Sequence, residues 1–102
     1  MTCLALGGPG GVVSAANYYP ALCARVTDTY FAGEHQEAIE QYVRLQRLVK
    51  KTGAKGGVAG LKSCMNLCGF SAGRPRLPVK PLTAQEESDM RAILLENHII
   101  DA

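Results

Sequence analysis

Thiol and imidazole side chains are the groups in this sequence best suited to metal binding. They are Cys3, Cys23, Cys64, Cys68, His35 and His98. Cys64 and Cys68 are four residues apart and share a helix face, but neither histidine lies in their segment, and a structural zinc site needs four ligands. We therefore predict no metal site. The thiols are expected to be reduced and buried as small apolar groups, which favours an intracellular compartment, cytoplasmic or mitochondrial.

Lysine side chains are candidates for covalent catalysis, because a desolvated lysine condenses with carbonyl compounds. Lys62 is the candidate, since it lies just before the apolar pair Cys64 and Met65. A lysine in that setting usually buries its alkyl chain and keeps its ammonium group in water. We therefore predict that Lys62 is a snorkelling or surface residue, and that His35 is exposed.

Composition restricts the classes of protein to consider. The 102 residues suffice for one small domain, and 47% apolar with 20% charged residues is typical of a globular chain. A net charge of +2 without a basic stripe or aromatic platform gives no indication of nucleic-acid binding. No stretch is long enough to cross a membrane, and the first residues lack the basic leader of a signal peptide.

The order of elements is one strand followed by four helices. Residues 11–16 form a run of small and apolar residues without polar alternation, which predicts a strand buried on both sides, as in a parallel sheet or barrel. The predicted helices span residues 20–32, 36–51, 58–68 and 84–96. Gly33 and Gly69 are expected to end the first and third, and Thr83 with Glu86 forms a capping box before the last. Residues 52–57 read as a glycine-rich connector and residues 71–81 as an extended crossing.

A lone strand of this type has no ladder partner. Its backbone N–H and C=O groups require a strand on each side. The short apolar piece at residues 1–6 also looks like the last turn of a longer helix. We therefore expect further strands upstream in the complete protein.

Four blocks of the sequence resemble, in order, the C-terminal third of the dihydrodipicolinate synthase and N-acetylneuraminate lyase family. Residues 7–20, Gly-Gly-Pro-Gly-Gly-Val-Val-Ser-Ala-Ala-Asn-Tyr-Tyr-Pro, resemble its eighth barrel strand. Ala32-Gly33-Glu34 resembles the break before its C-terminal extension. Gly60-Leu61-Lys62 through Leu67-Cys68-Gly69 resembles a helix of that extension, and residues 74–82 resemble its Arg-Leu-Pro crossing. The Gly-Leu-Lys form favours the 4-hydroxy-2-oxoglutarate aldolase-like branch.

The resemblance implies an α/β fold, a (β/α)8 TIM barrel with a C-terminal helical extension, of which this chain is mostly α with one barrel strand. Residues 1–33 would be the end of the barrel, comprising the last turn of helix 7, strand 8 and helix 8. Residues 34–102 would be the extension. Such a barrel needs roughly 250 residues, so the chain is expected to be a fragment.

The resemblance also implies class I aldolase or lyase chemistry, in which a lysine forms a Schiff base with pyruvate or another 2-oxo acid. That lysine belongs to the sixth strand of the family, so we expect no catalytic residue in this chain and no activity of the chain alone. Val12 and Ser14 match positions that line the pocket floor; the alternative interpretation is that both are strand-packing residues. The family uses no cofactor and forms homodimers or homotetramers.

Two other functions fit the residues. The chain could be a stand-alone helical module for interaction or dimerisation, or a subunit that completes a split barrel.

Overall fold

The computed structural model describes residues 1–53 and 57–101, and these residues are helical or irregular. The helices are α1 (Thr2–Ala5), a 3-10 helix (Ser14–Asn17), α2 (Pro20–Phe31), α3 (His35–Gly53), α4 (Gly57–Leu67) and α5 (Ala84–Glu96). The chain divides into two compact units, Met1–Arg47 and Leu48–Ala102. The predicted boundary between residues 33 and 34 concerns the complete barrel and stays a prediction.

The predicted strand is wrong. Residues 11–13 are irregular and Ser14–Asn17 form a 3-10 helix, and no strand occurs anywhere in residues 1–53 or 57–101. Val13 has the extended dihedral angles of a strand residue, φ −130° and ψ 137°. A local preference for extended backbone does not make a strand, because a strand forms only when a neighbouring strand pairs with its backbone. The described residues supply no such neighbour.

The first unit is built around α2. Pro20 occupies the first turn of α2, where its missing N–H leaves no hydrogen bond unmade. Leu22 and Val26 of α2 are buried, and the 3-10 helix packs against α2. Gly33 follows α2 with φ 86°, and the bonds from Gly33 N to Tyr30 O and from Glu34 N to Thr29 O close the helix. The expected left-handed glycine at this end is confirmed.

The apolar side chains of α3 are only partly buried. Ala38, Leu45 and Leu48 are buried, whereas Ile39 and Val43 are 45% and 41% exposed. The predicted connector at residues 52–57 is wrong at Thr52 and Gly53, which complete α3, and at Gly57, which begins α4. Its residues 54–56 lie outside the described residues.

The second unit contains α4 and α5, which contact each other. Cys64 from α4 and Met90 and Leu94 from α5 are completely buried and form its core. The capping box of α5 is confirmed: the Glu86 N–H donates to the Thr83 hydroxyl at 3.2 Å, and the Thr83 N–H donates to the Glu86 carboxylate at 2.8 Å.

Residues 71–81 cross between α4 and α5 without helix or strand, as the three prolines predict. Of the helices within the described residues, none has both the length and the apolar character needed to span a bilayer.

Candidate functional site

Val12 and Ser14, the two residues expected at a pocket floor, are two positions apart in the segment between α1 and α2. Val12 is irregular and fully exposed, and Ser14 is exposed at the start of the 3-10 helix. The Ser14 carbonyl accepts a hydrogen bond from Asn17 Nδ2 at 3.1 Å. An open cavity of about 540 Å³ in the first unit is lined by their neighbour Val13 and not by either of them. Their place in a substrate pocket stays a prediction.

That cavity is mainly apolar. Its walls include Leu4, Val26 and Leu45, and two thiols, Cys3 and Cys23, also line it. Burial raises the pKa of the Cys23 thiol, so the cavity holds it in the neutral form. A neutral thiol is a poor nucleophile. The lining of this cavity therefore offers mainly apolar contact.

The four thiols differ in their surroundings. Cys64 is completely buried, Cys23 and Cys68 are half-buried, and Cys3 is exposed, so the prediction of burial is wrong for Cys3. Burial raises the pKa of Cys64 to about 12, with a further contribution from the adjacent Cys68 thiol, and burial raises the pKa of Cys68 as well. All four are free cysteines. Cys64 therefore packs as an apolar group.

The two histidines lie at helix ends. His35 begins α3 and is exposed as predicted, with its ring stacked on that of Tyr30 at a centroid distance of 4.5 Å. His98 is exposed just beyond α5 and has φ 56°. Across the described ranges, no three His, Cys, Asp or Glu side chains come together in a way that could hold a metal ion.

Lys62 lies on α4 and is half-buried. Its ammonium group donates a hydrogen bond to the carbonyl of Ala72 at 2.9 Å. Lys62 therefore ties the crossing segment to α4, a role that the sequence pattern did not indicate. It also lines a polar cavity of about 340 Å³ in the second unit, together with Ser63, Asn66, Arg74 and Glu87.

Comparison with known protein families identifies the family of this chain. The sequence model described as the dihydrodipicolinate synthetase family matches residues 1–97. The chain belongs to this family. The family resemblance predicted from the sequence is therefore confirmed.

Individual members of the family share about a quarter to a third of the residues. The 4-hydroxy-tetrahydrodipicolinate synthase of Caldicellulosiruptor saccharolyticus is 27% identical over 91% of this chain and 32% of its own length. The corresponding enzyme of Acidiphilium cryptum is 34% identical over 89% of this chain and 31% of its own length.

A relative with a different name also matches. The 2-dehydro-3-deoxy-D-gluconate/2-dehydro-3-deoxy-phosphogluconate aldolase of Thermoproteus tenax is 34% identical over 81% of this chain and 28% of its own length. The chain spans about a third of the length of the curated relatives that it matches. No solved structure gave a significant match.

Proposed function

We propose that this chain is the C-terminal segment of a (β/α)8-barrel class I aldolase or lyase that acts on pyruvate or another 2-oxo acid. The observation that carries the proposal is the family match over residues 1–97, combined with relatives of which the chain spans only about a third. The four sequence blocks, which follow the order of the C-terminal third of the family, support the same placement. In this arrangement residues 1–33 end the barrel and residues 34–102 form the helical extension.

The chemistry of such an enzyme depends on a Schiff-base lysine, because the iminium accepts the electron pair of the carbon–carbon bond that breaks. We assign that lysine to the part of the complete protein outside this chain. Lys62 is the lysine in a recognisable block, and its ammonium group is engaged with the Ala72 carbonyl. The chain alone is accordingly inactive. Val12 and Ser14 contribute to the pocket floor once the barrel is complete.

The proposed partners follow from the family. The ligand is a small 2-oxo acid, the reaction needs no cofactor, and the complete protein is an intracellular homodimer or homotetramer. The Gly60-Leu61-Lys62 block favours the 4-hydroxy-2-oxoglutarate aldolase-like branch over the other branches.

Reductive trapping tests the location of the chemistry. The chain is incubated with pyruvate and sodium borohydride, and intact mass spectrometry then measures covalent adducts. We expect no reduced pyruvate adduct on this chain, and the K62R variant should behave identically. An adduct on the wild-type chain that disappears in K62R would place the nucleophile at Lys62 and contradict the proposal.

A second arm tests barrel completion. The chain is co-expressed with the part of the Thermoproteus tenax aldolase that precedes the matched region, and the complex is purified and trapped in the same way. We expect co-purification and an adduct on the added segment. If the segments fail to associate while the chain alone melts cooperatively as a helical protein, the stand-alone helical module is the better description.

A further inference from the structure

The polar cavity in the second unit is lined by three segments of the chain. It is formed by one face of α4, the crossing segment that follows α4, and the first turn of α5. The polar side chains that line it are Lys62, Ser63, Asn66, Arg74 and Glu87. Its volume of about 340 Å³ is at the small end of the range for ligand pockets in proteins.

Ser63 contributes an unsatisfied hydroxyl group. Its Oγ atom is buried, and no hydrogen-bond partner for it occurs within the described residues. Buried polar atoms in native proteins nearly always have a partner, which is protein, water or a ligand. Ser63 is one of the residues that line the polar cavity, so a ligand bound there could supply the missing bond.

Two cationic groups line the same cavity with donors to spare. Lys62 uses one N–H bond on the Ala72 carbonyl and retains two. Arg74 is exposed, and among the described residues its guanidinium group has neither a hydrogen bond nor an ion pair. Glu87 is the one carboxylate among the lining residues, so two positive charges face one negative charge.

The loop that carries Arg74 is held in place by Asn66. The Asn66 Oδ1 atom accepts a hydrogen bond from the Ala72 N–H at 2.8 Å, and Nδ2 donates to the Gly73 carbonyl at 3.0 Å. With the bond from Lys62 to Ala72, three hydrogen bonds join α4 to the residues just before Arg74. The cavity is therefore organised before any ligand arrives, which lowers the entropy lost on binding.

We propose that this cavity binds a small oxyanion, either a carboxylate or a phosphate. The guanidinium group of Arg74 presents paired donors to two oxygens of such an anion, while the Lys62 ammonium and the Ser63 hydroxyl add further donors. The remaining single positive charge matches a ligand of low negative charge. This site is independent of the proposed Schiff-base chemistry, because neither Lys62 nor Arg74 needs to react with the ligand.

Titration of the full chain with acetate and, separately, inorganic phosphate tests the proposal. Acetate has no ketone and cannot form a Schiff base. Acetate binding therefore tests this site separately from the proposed aldolase or lyase function. Two-dimensional amide NMR is recorded at constant ionic strength. We expect saturable shifts at Ser63, Asn66 and Gly73 with at least one probe, and the probe that saturates identifies the type of anion.

Matched variants locate the site. R74Q should weaken binding by about tenfold or more, since a hydrogen bond to a charged group contributes that much. R76Q removes the same charge two residues along the crossing, at an exposed position that does not line the cavity, and should change the affinity less than about twofold. S63A should weaken binding with the spectrum otherwise retained.

Two results would overturn the proposal. One is the absence of saturable shifts with both probes. The other is an equal loss of affinity in R74Q and R76Q, which would mean general attraction to a basic segment. The amide spectrum of each variant shows whether the variant is folded. A loss of binding by R74Q counts only if R74Q has a native-like spectrum.

Discussion

Four helices within the described residues (α1, α2, α4 and α5) end in the same backbone motif, and three of them use glycine; after α1 it is Gly7, with φ 88°. Gly33 after α2 and Gly69 after α4 have positive φ angles of 86° and 92°, whereas the equivalent position after α5 is His98, with φ 56°. At each end two backbone bonds close the last turn, for example from Ile99 N to Leu94 O. An L-residue in this left-handed conformation costs roughly 1 kcal/mol more than glycine.

The strain at His98 predicts a stabilising substitution. H98G should raise the free energy of unfolding by about 0.5–1 kcal/mol, because glycine adopts the positive φ without a steric penalty. Urea unfolding followed by circular dichroism measures the change. G69A should move the stability in the opposite direction by a similar amount, since it places a side chain at φ 92°. If H98G is neutral or destabilising, the side chain of His98 has a stabilising contact.

Cys64 predicts a pH dependence of stability. Well below pH 9, the ordinary pKa of a thiol, the Cys64 thiol is neutral in both the folded and the unfolded chain. Between about pH 9 and 12 the unfolded chain releases the proton while burial keeps the folded pKa raised, so the free energy of unfolding falls as the pH rises. This fall should be shallower in C64A.

The pH experiment compares slopes rather than absolute stabilities. Urea unfolding at several pH values above 8 gives the slope for wild type, C64A and C3A. Because Cys3 is exposed, C3A should keep the wild-type slope. Equal slopes in wild type and C64A would show that the raised pKa of Cys64 does not contribute to the fall.

At the scale of elements, the helices could be predicted because their signals are local. The Thr83 and Glu86 pair set the start of α5, and the ends of α5 at Ala84 and Glu96 agree with the predicted range. The strand at residues 11–16 could not be decided in this way, since a strand depends on partners distant in sequence. Val13 has extended dihedral angles, but the described residues offer no strand to pair with it.

The capping box of α5 predicts how substitutions at Thr83 change the stability. T83A removes the hydroxyl that accepts from the Glu86 N–H, and it should lower the free energy of unfolding by about 1 kcal/mol. T83S keeps the hydroxyl and should stay within a few tenths of a kcal/mol of wild type. Thermal and urea unfolding of the three proteins measure the difference. Equal losses in T83A and T83S would contradict a role for the hydroxyl bond.

At the scale of the whole molecule, the family could be predicted from the sequence, whereas the polar cavity could not. The family resemblance rests on short ordered blocks, and the match over residues 1–97 confirms it. The polar cavity depends on bonds between α4 and a crossing ten residues later, such as Lys62 to Ala72, which no local pattern encodes. Val12 and Ser14 were assigned from resemblance, and their role depends on the proposed complete barrel.

The first unit also exposes large apolar side chains. Val12 is fully exposed, and Phe31, Ile39 and Val43 are each more than 40% exposed. Ile39 and Val43 are one helical turn apart on α3, so they form a continuous apolar strip. Because the chain spans about a third of its relatives, the proposed barrel has further structure that could cover such a surface.

This exposure predicts that the isolated chain binds an apolar dye. Anilinonaphthalene sulfonate should fluoresce on the wild-type chain, and the I39Q/V43Q variant should show a clearly lower signal, since the continuous strip is removed. V58Q/V79Q is the matched control: it also replaces two exposed apolar residues, but they lie on separate elements, α4 and the crossing segment, so the signal should change little. Circular dichroism confirms that both variants keep their helices. Equal decreases in the two variants would mean that the dye responds to exposed apolar area in general and that the strip on α3 is not a distinct surface.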